Sequence, residues 1–156
     1  MIRSFPQQTM NYTCRISIQL PREQVVAFYS DPQSMYWRMV GLKSYQLQQG
    51  EHGREGAVSH LKFKREHVTE NVLKSELPDL HQVEFVAPLV RNIVSHRFTA
   101  AGDAWTEYAT EQTFVFRGAM KIAGWLMPEF IFRKQTMNYL RNFKAHVERE
   151  SARKQG

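Results

Sequence analysis

Period-2 alternation of apolar and polar residues recurs along this chain, and it limits the possible folds more than any other feature. In "TMNYTCRISI" every second side chain is apolar, from Met10 through Cys14 to Ile18, as in a strand with one buried face. Six later segments show the same period: "LKSYQLQQ", "GAVSHLKFK", "HVTENVLKSE", "HQVEFVA", "RNIVSHRFTA" and "WTEYATEQTFVF". Turn-forming residues separate these segments. We therefore predict seven antiparallel strands joined by short connections.

Two regions of the sequence have helical rather than strand periodicity. After the first strand, "PREQVVAFYSDP" begins with a proline suited to a first helical turn and stops at Asp31-Pro32, and a second turn is predicted from Met35 to Arg38. Near the carboxyl terminus a long helix is predicted from Pro128 to Ser151. Its apolar residues recur on one face at three-, four- and seven-residue steps: Phe130, Met137, Leu140, Phe143 and Val147. The pattern predicts an α+β fold in which this helix covers one sheet face.

The glycine-rich stretch "GEHGREG", from Gly50 to Gly56, has the composition of a phosphate-binding loop. Such a loop requires a strand before it and the amino terminus of a helix after it, so that backbone N–H groups converge on the anion. Here strand-like sequence lies on both sides. The glycines are therefore interpreted as a hairpin turn that needs positive φ angles.

Composition sets the size and the expected location of the fold. The chain has 156 residues, 42% of them hydrophobic, which suits a single domain, residues 1–156, with a core of its own. No apolar run is long enough for a signal-peptide core or a membrane-spanning helix, so a cytoplasmic protein is expected. The single cysteine, Cys14, cannot form an internal disulfide, and its strand position favours a buried role.

The net charge of +6 is concentrated near the carboxyl terminus. Residues 133–156 carry seven Lys and Arg residues against Glu148 and Glu150. This basic helix can be a solvated face, or it can be an electrostatic footprint for nucleic acid or anionic lipid. No aromatic residues interleave the last basic positions, as a stacking platform for bases would require. We therefore expect no nucleic-acid partner and leave membrane contact as an open alternative.

Five features, which together span nearly the whole chain, resemble the START-like, birch-pollen-allergen-like superfamily called SRPBCC and its polyketide cyclase/dehydrase-type members. They are "YTCRISIQLP", "REQVVAFYSDPQSMYWRMVGL", "LQQGEHGREGAV", "AAGDAWTEYATEQTFVF" and "MPEFIFRKQTMNYLRNFKAHVE". The resemblance implies a helix-grip fold. In this fold a seven-stranded curved antiparallel sheet wraps around the long C-terminal helix, with a short helical insertion after strand 1 and a cavity between sheet and helix. It implies no fixed set of catalytic residues.

Strand parity nominates the side chains that face such a cavity. In "RNIVSHRF" His96 shares a face with Phe98, and in "TEYATEQTF" Tyr108 shares a face with Gln112. His96 and Tyr108 are candidates for acid and base, with Glu70 as a third candidate at even odds of pointing inward. A histidine bonded to a neighbouring hydroxyl or amide is the commoner role. The predicted ligand-binding residues are Leu61, Phe63, Phe85, His96, Phe98, Tyr108, Gln112, Phe130 and Met137.

An unusually apolar cluster lies at the start of the long helix and includes Trp125, Phe130 and Ile131. With the cavity that the resemblance implies, we predict that these residues form part of its wall. Two alternatives stay open: they are core or contact a second subunit, or they insert into a membrane surface beside Arg133 and Lys134. The sequence does not decide the oligomeric state.

Three classes of function are consistent with these features. The first is a carrier or sensor that encloses a small hydrophobic molecule, whose polar end His96, Tyr108 and Gln112 orient. The second is a cyclase- or dehydratase-like enzyme that uses the same groups on a carbonyl substrate, and the third is an interaction protein that acts through the basic helix. The six histidines are scattered and show no metal-ligand spacing, so neither a metal nor another cofactor is expected.

Overall fold

A single antiparallel sheet forms the frame of the computed structural model, which describes residues 8–121 and 127–156. Its strands are β1 (Gln8–Ile18), β2 (Ser44–Gln49), β3 (Val58–Lys62), β4 (His67–Glu76), β5 (Leu80–Val86), β6 (Val90–Ala100) and β7 (Thr106–Phe116). They lie in the order β1-β7-β6-β5-β4-β3-β2, and every neighbouring pair is antiparallel. The prediction of seven antiparallel strands is confirmed.

Strand register places the polar residues of the inner face in rows. Residues that are paired across antiparallel strands point to the same face of the sheet. One row crosses four strands, with His81 opposite His96, His96 opposite Thr110, and Thr110 opposite Cys14. The next row but one contains Ser59, Glu70, Phe85, Asn92 and Phe114. Glu70 therefore points inward, which settles the parity that the sequence left at even odds.

Three described helices pack on the sheet: α1 (Arg22–Ser30), α2 (Ser34–Arg38) and α3 (Glu129–Gln155). Pro128 precedes the first turn of α3, as its fixed φ allows. The helix runs beyond Ser151, its predicted end. Ser151 is buried and donates a hydrogen bond to Oε1 of Gln24 at 3.3 Å, so contact with α1 supports the last turn of α3.

The main core lies where α3 crosses the inner face of the sheet. Leu140, Phe143 and Val147 of α3 are each at most 3% exposed and pack with buried residues of β1, β6, β7 and α1. The rings of Phe143 and Tyr108 meet edge to face, with centroids 5.6 Å apart. Burying a side chain of this size contributes about 1.5–3 kcal/mol. The predicted α+β arrangement of sheet and covering helix is confirmed.

Polar contacts fix the position of α3 along β1. Lys144 Nζ donates to the carbonyl of Ser17 at 2.6 Å, and Arg133 Nη1 donates to the carbonyl of Thr13 at 2.8 Å. Three basic residues of α3 also pair with glutamates of the same helix: Arg133 with Glu129, Lys144 with Glu148, and Arg153 with Glu150. These pairs reduce the positive charge that the helix presents outward. None of the described helices is long and apolar enough to cross a membrane.

The glycine-rich segment joins β2 to β3 as a hairpin loop, residues 50–56. Gly50 and Gly53 have φ angles of 77° and 73°, the left-handed conformation that glycine adopts most easily. A Cβ on Gly50 would lie only 3.0 Å from Cα of Ala57. The loop therefore has the role of a tight reversal between strands, and it also borders the site described next.

Candidate functional site

A chamber of about 510 Å³ lies between the inner face of the sheet and α3. We call it the apolar chamber. Its wall is built mainly from Phe63, Phe85, Val94, Phe114, Phe132 and Leu140. Phe132, from the first turns of α3, meets Phe114 of β7 with ring centroids 5.1 Å apart, and this contact joins the helix to the sheet at one end.

Polar side chains also line the apolar chamber, and two of their oxygen atoms are buried without a partner among the described residues. Asn92 Nδ2 donates to Oε1 of Gln112 at 3.0 Å, which ties β6 to β7. The other oxygen atoms at this place, Oδ1 of Asn92 and Oγ1 of Thr110, are buried and have no hydrogen-bond partner among the described residues. Leaving such an atom buried and unpaired costs about 1–3 kcal/mol. Both residues line the chamber, so a bound molecule with a donor group could satisfy either oxygen.

A second chamber, of about 420 Å³, lies beneath α1, α2 and the loop of residues 50–56. We call it the polar chamber. The Tyr29 hydroxyl lies 2.7 Å from Nδ1 of His81, whose Nε2 lies 3.2 Å from the carbonyl oxygen of Gly53. Because a carbonyl only accepts, Nε2 of His81 carries the proton, and Tyr29 donates to Nδ1. The chain of bonds therefore fixes the tautomer of His81 and ties the loop to β5.

Tyr45 is the centre of another hydrogen-bonded group in the polar chamber. Its hydroxyl donates to Oε1 of Glu70 at 3.1 Å, accepts from Ser59 at 3.2 Å, and lies 2.9 Å from Nδ1 of His52. Burial raises the pKa of the Glu70 carboxyl, although the positive charge of Arg38 opposes that shift. The polar residues of this chamber are thus largely bonded to one another.

His96, Arg38 and Phe85 line both chambers and mark the boundary between them. Nδ1 of His96 lies 2.8 Å from the Tyr108 hydroxyl. Arg38, which can only donate, acts on the same hydroxyl, so we assign the Tyr108 hydroxyl as the donor to Nδ1 of His96. His96 then carries its proton on Nε2, for which residues 8–121 and 127–156 provide no acceptor.

Burial keeps His81, His96 and Tyr108 neutral at neutral pH. It lowers the pKa of His81 from its usual 6.5 to about 4, and it lowers the pKa of His96 well below 6.5, with Arg38 adding repulsion. It also raises the pKa of Tyr108 to about 12. The histidines are therefore weak bases and the tyrosine a weak acid, which suits hydrogen bonding better than proton transfer.

The structure brings most of the predicted site residues together. Phe63, Phe85, His96, Tyr108 and Gln112 line the apolar chamber, and Glu70 lines the polar chamber. Three others lie next to the chambers without forming their walls. Leu61 and Phe98 are fully buried in the fold, and Met137 is partly buried against the core.

Phe130 and its neighbours require a correction. Phe130 is 67% exposed and Ile131 is 42% exposed, and neither lines a chamber. The reason is helical phase, because the buried side of α3 is centred on Thr136, Leu140 and Phe143. One turn before Thr136, this side of the helix contains Phe132 and not Phe130. Trp125, the third residue of the predicted cluster, lies outside the described residues.

Sequence reasoning missed Arg38, Tyr29 and His81. The strand pattern could have identified His81, because it shares a face with Val83 and Phe85, and Phe85 is a predicted ligand-binding residue. Tyr29 lies in the first predicted helix, whose sequence gives no signal of a functional role. Arg38 had a weaker signal, a basic residue within the otherwise apolar and aromatic "MYWRMV". Within the described ranges no group of three or more His, Cys, Asp or Glu residues is arranged to hold a metal ion.

Solved structures with the same fold include an aromatase/cyclase and a norcoclaurine synthase. The Zhui aromatase/cyclase from a Streptomyces species has a TM-score of 0.74 and 15% identity, with 92% of this chain and 96% of that chain covered. A norcoclaurine synthase point mutant from Thalictrum flavum, in complex with a transition-state analogue, has a TM-score of 0.68 and 12% identity, with 95% and 99% covered. Ara h 8.0201 has a TM-score of 0.67 and 9% identity, with 90% and 98% covered.

At these identities the structures show a shared fold, and they confirm the predicted helix-grip architecture. No curated protein matches the sequence significantly. The sequence does match a family of the SRPBCC type, described as "Polyketide cyclase / dehydrase and lipid transport", over residues 9–148. That range extends from β1 into the last third of α3 and contains every residue that lines the two chambers. The chain therefore belongs to the polyketide cyclase / dehydrase and lipid transport family.

Proposed function

We propose that this protein binds one small, largely apolar molecule in the apolar chamber and acts as its carrier or sensor. The observation that supports this most directly is the chamber itself, with about 510 Å³ of space behind an aromatic and aliphatic wall. Ligand pockets of proteins commonly have volumes of roughly 300–1,000 Å³ and a mainly apolar lining with a few polar groups. The chamber has both properties.

Polar atoms at one side of the chamber support a defined orientation of the bound molecule. Nε2 of His96 is a donor without a protein partner in the described ranges, Oδ1 of Asn92 is an unpaired acceptor, and the unpaired hydroxyl of Thr110 can donate or accept. Gln112 keeps its amide nitrogen available because only its oxygen is bonded to Asn92. Tyr108 acts indirectly, because its hydroxyl fixes the ring of His96. The polar end of the ligand would bond to the donors among these atoms while its apolar body fills the aromatic part of the chamber.

The family supports the same proposal at a coarser level. Its description combines polyketide cyclisation or dehydration with lipid transport, and both roles require that a small hydrophobic molecule is enclosed. Among the structural neighbours, the names aromatase/cyclase and norcoclaurine synthase describe enzymes. The fold therefore does not separate a carrier from an enzyme, and residues of the site have to do so.

Uptake of a neutral apolar fluorophore, N-phenyl-1-naphthylamine, tests the proposal. We expect saturable binding with one molecule per chain, because removing apolar surface from water contributes about 25 cal/mol per Å². Thr110→Trp should reduce the affinity at least about 100-fold by filling the apolar chamber, since Thr110 is buried on its wall. Ser75→Trp is the matched control, because Ser75 lines only the polar chamber.

The two variants also define the outcome that contradicts the proposal. Circular dichroism and thermal unfolding must first show that both variants are folded. If the wild type takes up no fluorophore at saturation, the carrier proposal and the enzyme alternative both fail. If Ser75→Trp removes uptake and Thr110→Trp does not, the ligand site lies in the polar chamber instead.

A second candidate function is a cyclase- or dehydratase-like enzyme, favoured by the 2.8 Å hydrogen bond between His96 and Tyr108 on the chamber wall. Glu70 would be a third acid-base group, but it lies in the polar chamber. The lowered pKa of His96 and the raised pKa of Tyr108 make both groups poor proton carriers at neutral pH. Mass spectrometry of a polyketide-like carbonyl compound after incubation decides the matter. If the wild type converts the compound and His96→Ala does not, the protein is an enzyme. If the compound is recovered unchanged from the wild type, the carrier is favoured.

A further inference from the structure

Arg38, the last residue of α2, places a permanent positive charge at the boundary of the two chambers. Its Cζ lies 4.2 Å from the ring centroid of Tyr29, so the guanidinium stacks on an aromatic face. Its Nη2 lies 3.0 Å from the sulfur of Met35, which is a weak acceptor. Its Nε is buried and has no hydrogen-bond partner among the described residues. The guanidinium also interacts with the hydroxyls of Tyr29 and Tyr108, so it is held in place while its Nε–H stays unpaired among the described residues.

No carboxylate of the described chain forms an ion pair with Arg38. Arg91 shows the contrast, since its Nε donates to Oε2 of Glu84 at 2.9 Å. An arginine side chain cannot give up its proton in a protein, so it keeps its charge wherever it lies. Removing such a charge from water is costly unless an anion compensates it. Glu70 attracts Arg38 through space but lies beyond ion-pair distance, so the guanidinium has no carboxylate in contact and can take one from a ligand.

His96 contributes a second donor beside the same aromatic ring. The ring of Tyr29 lies 5.1 Å from the ring of His96, measured between centroids, and it carries Arg38 on its face. With Nδ1 of His96 bonded to Tyr108, its Nε2–H remains available. Two groups that can only donate hydrogen bonds thus border the chamber boundary. Donors of this kind complement a carboxylate, which accepts through both oxygens.

Resting on the proposed function, we infer that the bound molecule is an amphipathic monocarboxylic acid whose carboxylate is bound by Arg38 and His96. Its apolar body occupies the apolar chamber. The planar guanidinium fork matches a carboxylate in two parallel hydrogen bonds. A doubly charged phosphate would fit less well, because Arg38 is the single permanent cation on the boundary and the histidines beside it are neutral. Glu70, which bonds to Tyr45, adds negative charge on the polar side and further disfavours a dianion.

Competition between matched ligands tests this inference. 2-Naphthylacetate and its uncharged amide, 2-naphthylacetamide, have the same apolar body and differ in the charged group. Each should be titrated against protein loaded with N-phenyl-1-naphthylamine. We expect the carboxylate to bind about 10- to 100-fold more tightly than the amide, as charge-assisted hydrogen bonds allow. Arg38→Gln should remove most of that difference while changing amide binding less than about threefold.

Arg97→Gln is the control variant. Arg97 follows His96 on β6, points to the outer face, and pairs with Glu111 at the surface, so the substitution makes the same change of charge outside the chambers. It should leave the preference for the carboxylate intact. Arg38→Lys keeps the charge but loses the fork, and it should retain an intermediate preference. This variant also serves if Arg38→Gln does not fold.

The outcomes separate this inference from the proposed function. If the fluorophore binds but the wild type shows no preference for the carboxylate, the acid is excluded and the proposed function stands. If the preference exists but survives in both Arg38 variants, Arg38 is not its origin and the inference is overturned. If neither the fluorophore nor either naphthyl compound binds, the proposed function fails together with the inference.

Discussion

The two chambers lie side by side under the same sheet, but their polar groups are arranged differently. In the polar chamber Tyr29, His81 and the loop carbonyl of Gly53 form a continuous chain of hydrogen bonds. In the apolar chamber the oxygens of Asn92 and Thr110 are buried without partners in the described part of the chain. The polar chamber is thus satisfied internally, whereas the apolar chamber is not.

This difference separates the polar groups that support the fold from those that are available to bind a ligand. A buried hydrogen bond that is complete contributes to the folded state and resists change, whereas an unpaired buried atom reduces stability until something binds to it. The polar chamber therefore holds the loop and α1 in place. The apolar chamber, and Arg38 at its boundary, retain groups that a ligand can satisfy. Three experiments can break or sharpen this distinction.

Acid should weaken the polar chamber most. The pKa of His81 is about 4 in the folded protein and 6.5 is its usual value. Between these values the unfolded chain binds a proton that the folded protein excludes, so the free energy of unfolding falls as the pH falls through this window. The loss amounts to about 3 kcal/mol in total, at roughly 1.4 kcal/mol for each pH unit. Above the window His81 is neutral in both states and has no effect.

Urea unfolding at neutral pH and at a pH of about 4 measures this loss, with His81→Gln for comparison. His96 acts in the same direction because burial also lowers its pKa. Glu70 acts in the opposite direction, because its raised pKa gives a contribution that is present at low pH and is lost as the pH rises. If His81→Gln loses as much stability in acid as the wild type, His81 is not buried as described.

A pair of hydroxyl deletions compares the two chambers directly. Tyr29→Phe removes the donor to Nδ1 of His81 and leaves that nitrogen buried and unpaired, which should lower the free energy of unfolding by about 1–3 kcal/mol. Thr110→Val removes an oxygen that is already unpaired, so its effect on stability should be neutral or favourable. Chemical unfolding at neutral pH gives both values. Equal losses in the two variants would mean that the chambers do not differ in this respect.

The smallest effect is expected at the exposed start of α3. Phe130→Ala should change the free energy of unfolding by less than about 0.5 kcal/mol, because Phe130 is 67% exposed. It should also leave fluorophore uptake unchanged. Phe132→Ala is the matched variant on the same helix, and it should weaken uptake because Phe132 lines the apolar chamber. A larger loss of uptake from Phe130→Ala than from Phe132→Ala would return Phe130 to the chamber wall.

Most of the fold follows from the sequence because strand parity is a local property. The alternation around His96 and Tyr108 put both side chains on the inner face, and the structure buries both. The start of α3 was harder. Phe130 and Met137 share a helical side, but Met137 lies at the edge of the buried stripe, so extending that side by two turns led away from the chamber.

The site was less predictable because its boundary depends on tertiary contacts. The sequence near Arg38 does not indicate that its guanidinium stacks on the ring of Tyr29. It also does not indicate that no described carboxylate forms an ion pair with Arg38. The polar chamber likewise depends on a loop residue, Gly53, that contributes only its backbone carbonyl. Backbone groups carry no signal in residue type. Such contacts emerge only when α1, α2 and the loop meet over the sheet.

The pairing of β1 with β7 has a consequence for how the chain must assemble. Gln8 lies opposite Phe116 and Ile18 lies opposite Thr106, so the first strand of the sheet in chain order pairs with the last one. Contacts of such long sequence separation slow folding, because the chain must lose loop entropy before it gains them. Until β7 is made, the edge of β1 has no strand partner, and until α3 is made, the apolar face of β1 is uncovered. A nascent chain that stops before β7 would expose that face to chaperones and to aggregation.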